Sequence, residues 1–184
     1  ESFDMTVSGE CFEHDPNWVK TFENMARMTR AGGVVAFTCA SEGRPEHGTR
    51  RTDADDSPGT QSVGLDYYKN LTAKDVADNI RLDQLFSRWG FAYLPSTFDL
   101  YFAGIKLGST EGKPQGKLPE ASAVNTLSSL MPLSHKIARL PLRVAKKMVS
   151  LREYDEFAWR YWTTADKVQN KLIGHKRRGA DANL

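Results

Sequence analysis

Phe3-Asp4-Met5-Thr6-Val7-Ser8-Gly9-Glu10-Cys11-Phe12-Glu13-His14-Asp15-Pro16 is the stretch that decides how the remaining residues are read. Phe3–Ser8 has the apolar character of a buried strand, and Gly9–Pro16 forms the turn at its carboxyl end. Ligands of open α/β sheets bind outside the carboxyl ends of strands. A carboxylate and an imidazole placed in that turn, Glu13 and His14, are therefore the first candidates for chemistry. A strand rich in Val, Met and Phe needs neighbours on both sides. The expectation is that a further segment precedes Glu1.

Moving outward, Asp15-Pro16-Asn17 starts a helix, with proline favoured in the first turn. Trp18, Phe22, Met25 and Ala26 recur at helical spacing, which predicts an amphipathic helix over Trp18–Arg30 closed by Ala31-Gly32-Gly33. Val34–Ala40 is a continuous apolar run, the pattern of a strand covered on both faces. Strand, helix and strand imply a parallel βαβ unit with a right-handed crossover. Ser41–Ser62 is polar and long for a connection, which suits a lid or a binding loop. Thr72 with Asp75 reads as a capping box opening a helix through Val76, Ile80, Leu82, Leu85 and Phe86, which Gly90 ends. Phe91–Ser96 and Leu100–Leu107 then form an antiparallel hairpin. Gly108–Ala121 is a linker. Beyond it lie helices at Ala123–Met131, Leu142–Leu151 and Tyr154–Ile173, with a frayed polar end.

A length of 184 residues with 40% apolar content allows one domain with an appendage. No stretch approaches the roughly 20 apolar residues that span a bilayer. Two cysteines, Cys11 and Cys39, argue against a disulfide framework and for a reduced cytoplasmic setting. A metal site on these thiols with His14 or His47 has a spacing unlike any ribbon or finger pattern, so no metal is expected. Charge is uneven: residues 1–132 carry 13 Lys and Arg against 18 Asp and Glu, and residues 133–184 carry 12 against 5. The basic helices read either as a solvated face or as a weak contact for a membrane surface or another anionic partner.

The sequence resembles part of a known family. Phe3–His14 resembles the fourth strand and following turn of class I S-adenosylmethionine-dependent methyltransferases (domain types 11 and 23), which often carry a Glu-His pair there. Met28-Thr29-Arg30-Ala31-Gly32-Gly33-Val34-Val35-Ala36-Phe37-Thr38 is similar to their helix, Gly-Gly cap and fifth strand, and Trp89–Leu107 to strands six and seven. The resemblance implies the C-terminal half of a Rossmann-like α/β sheet over residues 1–108, ending in an antiparallel hairpin. Residues 109–122 would be a linker and 123–184 a helical basic extension. The family's glycine-rich turn after strand one and its acidic residue after strand two have no counterpart in this sequence. The implied protein is thus the later part of a longer methyltransferase, and is expected to be inactive alone.

In that frame the cofactor is S-adenosyl-L-methionine, with Ser8, Gly9, Glu10 and Phe12 as its contacts. His14 is the candidate base, because an imidazole pKa of about 6.5 suits proton removal near neutrality. Glu13 would orient it; the alternative is that Glu13 caps the Trp18 helix. Arg44, Glu46 and His47, in the loop after the second strand, suit a polar or anionic acceptor, since guanidinium grips carboxylate or phosphate in a bidentate manner. Tyr67 and Tyr68 offer stacking faces for a sugar, or alternatively a hydrophobic staple. A small-molecule or glycan O-methyltransferase is the leading reading, and a non-catalytic interaction module derived from the same fold is the alternative. A nucleic-acid substrate is not expected, because Asp15-Pro16-Asn17-Trp18 lacks the second proline of amino-methylating relatives. An oligomer is compatible with the sequence.

Overall fold

Strand β1 (Phe3–Gly9) pairs in parallel with β2 (Thr29–Ala40), and helix α1 (Trp18–Met28) makes the crossover between them. The computed structural model describes residues 3–165 apart from 53, 111, 114, 131 and 151, and gives only the backbone of 121, 122, 124, 125 and 128. Trp18, Phe22, Met25 and Ala26 form the buried stripe of α1, as their spacing predicts. The helix ends two residues earlier than expected. Thr29 closes it in an extended conformation, its hydroxyl donating to the Met25 carbonyl at 2.8 Å. Ala31-Gly32-Gly33 lies inside β2 instead of capping α1. Gly32 takes φ +70°, and a Cβ on Gly33 would come within 2.7 Å of the Asp4 carbonyl oxygen, so the glycines shape an irregular start to the strand.

After β2 the polar loop is more structured than its composition implies. It contains a 3₁₀ turn at Ala54–Asp56 and a short helix α2 (Pro58–Ser62). The capping box is present: the Thr72 hydroxyl accepts from the Asp75 N–H, and the Asp75 carboxylate accepts from the Thr72 N–H at 2.9 Å. The helix it opens is shorter than predicted. It splits into α3 (Ala73–Asn79) and α4 (Leu82–Leu85), because Ile80 adopts an extended conformation and sinks into the core. β3 (Phe86–Leu94) then runs straight through Gly90, which faces Ala103 and ends no helix. The aromatic residues of this segment suit a pleated surface better than a helix.

The hairpin with β4 (Asp99–Lys106) is antiparallel as expected, and β4 enters the sheet between β2 and β3. The order is β1-β2-β4-β3, so β4 is the one reversed strand. One face carries the core, where Phe37 and Phe102 stack at 5.2 Å and Phe12, Phe22 and Phe86 close around them. The other face is only partly covered, and Val34, Ala36 and Ala103 line a broad apolar trough there. The expectation of a buried first strand is therefore corrected. Phe3, Met5 and Val7 are 52%, 52% and 65% exposed: among the described residues β1 pairs with β2 alone, and Met5 and Val7 lie along the partly covered trough.

The remaining helices are α5 (Ala121–Leu130), α6 (Leu133–Ala138), α7 (Leu140–Met148) and α8 (residues 152–165). Helix α6 has no counterpart in the sequence reading, and the expected end of the last helix and the frayed terminus lie outside the described residues. A second apolar cluster of Phe98, Leu142, Tyr154 and Ala158 joins α7 and α8 to the turn between β3 and β4. The Tyr154 hydroxyl donates to the Gly43 carbonyl, and Lys146 Nζ to the Glu42 carbonyl at 2.8 Å. Among the described residues no helix is long and apolar enough to cross a membrane.

Candidate functional site

The site grows from a 3₁₀ turn, Phe12–His14, just past β1. Phe12 turns into the core against Phe22 and Phe37, which locks the turn. Glu13 is fully buried at a three-way seam. Its Oε1 accepts from the Ala40 N–H at 3.1 Å, at the end of β2, and its backbone carbonyl accepts from the Lys69 N–H at 2.8 Å. Its Oε2 has no hydrogen-bond partner among the described residues. Burial pushes this carboxyl up to about 7, partly countered by backbone hydrogen bonds and the Arg44 charge. Glu13 does not cap α1. That helix starts at Asn17 without a side-chain cap, while the Asp15 carboxylate accepts from the Asn17 N–H and the Thr21 hydroxyl.

His14 is 5% exposed, and its Nδ1 likewise lacks a partner. Desolvation lowers its pKa, opposed by a hydrogen bond to the Tyr67 backbone, so the ring favours the neutral form. His47 and Tyr68 meet it edge-on, with ring centroids 5.1 and 5.4 Å away. Gly48, at φ +67°, lets the loop cross the ring, since a Cβ there would lie 2.7 Å from His14 Cε1. His47 Nδ1 lies 3.1 Å from the Pro45 carbonyl, and burial lowers its pKa as well. Donor atoms of Glu13, His14 and His47 all lie within 4.8 Å of one another.

Arg44 is already engaged. It donates to the Thr97 carbonyl at 3.0 Å and pairs with Asp99 at 2.9 Å, tying the loop to the β3–β4 turn. Its other side borders a cavity of about 220 Å³ shared with His47, Asp56, Arg139, Leu142 and Trp162. Glu46 accepts from the Thr49 hydroxyl at 2.7 Å, pairs with Arg51 at 3.4 Å and borders a neighbouring cavity with Tyr68 and Asn70. The Tyr68 hydroxyl lies 2.8 Å from Asn70 Oδ1. Tyr67 meets the site through its backbone.

The structure thus brings Glu13, His14, Arg44, Glu46, His47 and Tyr68 together from the turn after β1, the loop after β2 and the segment before α3. The expected cofactor contacts lie apart from that group. Ser8 is half-buried, while Gly9 and Glu10 are exposed at the carboxyl end of β1. Glu10 takes the left-handed φ of +48°, and its N–H donates to the Thr38 carbonyl at 2.9 Å. The Phe12 ring is committed to the core, which leaves its backbone alone for any ligand. Cys11 is exposed, Cys39 is buried and both are free. Sequence reasoning placed Gly48 and Asn70 in the candidate acceptor segments without a role of their own, read Trp162 as core or interface, and missed Arg139. The basic bias of residues 133–184 hinted at an anionic contact, but nothing in the sequence showed that α6 to α8 would close over the loop.

No family model matches the chain, and no curated protein matches it. Among solved structures it is similar to an O-methyltransferase family protein from Burkholderia thailandensis, with 13% identity and a TM-score of 0.38, covering 59% of this chain and 31% of that one. The chain therefore spans about a third of that protein's length. A likeness this loose carries no argument about fold or activity.

Proposed function

We propose that the chain forms the acceptor side of an S-adenosylmethionine-dependent O-methyltransferase acting on a small polar or glycan substrate. The observation that supports this reading is the placement of Glu13 and His14. A parallel β1–β2 pair delivers them at its carboxyl end, beneath the loop that leaves β2, in a sheet that carries the reversed β4 between β2 and β3. When bound, the cofactor supplies a methyl group on a cationic sulfur. This chain supplies position and a proton acceptor. A neutral imidazole with an unpartnered Nδ1 accepts a proton from a hydroxyl, and Glu13 beside it stabilises the cation that forms. Arg44, Glu46, His47 and the tyrosines surround the acceptor.

Gly9 fits a ligand approaching the strand end, because a Cβ there would meet only the Thr38 hydroxyl, at 3.8 Å. With Ser8, Glu10 and the Phe12 backbone it offers a partial contact. In this reading the glycine-rich turn that holds most of the cofactor comes from outside residues 1–184, the setting is cytoplasmic, and the basic helices face an anionic partner. The test is calorimetric titration of the full-length gene product with S-adenosylmethionine, followed by turnover of His14→Ala. We expect binding of the cofactor, with the variant losing about 10²–10⁴-fold in kcat and little cofactor affinity. Absence of binding by the whole protein would sink the reading.

A second reading, an interaction module without catalysis, is favoured by the outer edge of β1, unpaired among the described residues, and by its exposed Met5 and Val7. It requires that the whole gene product bind no cofactor.

A further inference from the structure

We propose that Glu13, His14 and His47 bind a single first-row divalent cation, of which zinc is the reference case, as a two-histidine, one-carboxylate set. The three side chains come from separate turns, yet their donor atoms lie within 4.8 Å of one another. Proximity is only the first observation. Glu13 Oε2 and His14 Nδ1 are both buried and both without a hydrogen-bond partner among the described residues. A buried polar atom left unsatisfied is costly, and two acceptors cannot satisfy each other without a proton or a cation between them.

The imidazoles are also set up as ligands. His47 Nδ1 is held by the Pro45 carbonyl at 3.1 Å, which leaves the Nε2 lone pair free. The Tyr67 backbone contacts the His14 ring, and with Nδ1 unpartnered that contact falls to the other nitrogen. A ligating histidine is oriented in this way, its far N–H donating to a backbone carbonyl. The carboxylate is fixed likewise, with Oε1 on the Ala40 N–H and Oε2 left over.

Nitrogen and oxygen ligands about 2.0–2.2 Å from a zinc ion sit roughly 3.3 Å apart in a tetrahedron, so the widest pair closes by at most about 1.5 Å. His47 is the least buried of the three and faces the 220 Å³ cavity, which gives it room to turn. Arg44 and Arg139 in the cavity wall oppose a cation, while Asp99 pairs with Arg44 at 2.9 Å and Asp56 adds a carboxylate to the same wall. Two imidazoles and one carboxylate suit zinc, iron, cobalt or nickel better than magnesium or calcium. The site does not rest on the methyl-transfer reading. Where both hold, cation and proton compete for one lone pair on His14, and the bound ion takes over the activation of a hydroxyl.

The experiment is titration of chelator-stripped protein with Zn²⁺ by calorimetry and with Co²⁺ by visible absorption, in the absence of S-adenosylmethionine. One equivalent is expected to bind with micromolar or tighter affinity, and Co²⁺ is expected to show the intense bands of a low-coordinate site. His47→Ala, at a partly exposed position, should stay folded by circular dichroism and weaken Zn²⁺ binding by about 100-fold or more. Glu13→Gln should do the same, and His135→Ala should change nothing. Wild-type protein that binds no Zn²⁺ while folded, or binding that His47→Ala leaves intact, overturns the proposal. Neither result bears on the cofactor titration, so the two readings fail separately.

Discussion

Glu10 is one of two non-glycine residues, with Phe98, that hold a positive φ among the described residues. It holds a left-handed φ of +48° at the carboxyl end of β1, a conformation that costs an ordinary L-residue about 1–2 kcal/mol. The surrounding ladder enforces it, because the Glu10 N–H extends the β1–β2 pairing through the Thr38 carbonyl. Strain of this kind gathers at functional sites. Glu10→Gly relieves the strain but loosens the unfolded chain, so a net gain of about 0.5–1 kcal/mol is expected in urea unfolding. A loss of stability instead would mean that the carboxylate has a structural partner. At this scale the sequence was only partly informative. It showed that a carboxylate and an imidazole would sit in the turn after β1. It could not show that Glu13 would be sealed between Ala40 and Lys69, or that Gly48 would press on His14, because those contacts join segments 27 to 56 residues apart.

At the scale of elements, local chemistry was readable wherever a local rule decides the outcome. The Thr72–Asp75 box is the clearest case, and it yields a pH prediction. Burial opposes the Asp75 charge, but hydrogen bonds from Lys69 and Thr72 outweigh it and hold the carboxyl below its ordinary value. A depressed pKa adds stability that is present above the unfolded value, near 3.8, and is lost as pH falls through the folded one. Asp75→Asn should therefore cost about 1 kcal/mol at pH 7, and the difference from wild type should shrink towards zero near pH 2 in parallel denaturant titrations. A difference that stays constant with pH would show that the charge contributes nothing. Where tertiary contacts overrule local signals, the reading was less accurate. Gly32 and Gly33 look like a helix stop, yet Thr29 closes α1 first, Gly33 serves the close approach of β2 to β1, and Gly32 takes a positive φ against Thr110. Gly90 looks like a breaker, yet pairing with Ala103 absorbs it into β3.

For the whole molecule, the parallel pair and the antiparallel hairpin followed from apolar runs and turn residues. The insertion of β4 between β2 and β3 did not, because strand order is a long-range choice. The basic helices were the least legible part. Their composition suggests a solvated face, whereas Leu142, Tyr154 and Ala158 clamp Phe98 at the β3–β4 turn, and Tyr154 anchors Gly43 in the loop that carries Arg44 and His47. The extension therefore braces the site from outside the sheet, and Leu142 tests the coupling. It is 1% exposed and also borders the cavity with His47. Leu142→Ala should cost about 2–4 kcal/mol if unfolding is one cooperative event. Hydrogen exchange separates the possibilities further. If α7 and α8 brace the loop, the substitution should lower protection of amides in residues 152–165 and near Gly43 while those of Val35, Phe37 and Phe102 stay protected. Loss confined to α7 would show that the helices only rest on the surface, and that the loop holds His47 in place through Arg44 and Asp99 alone.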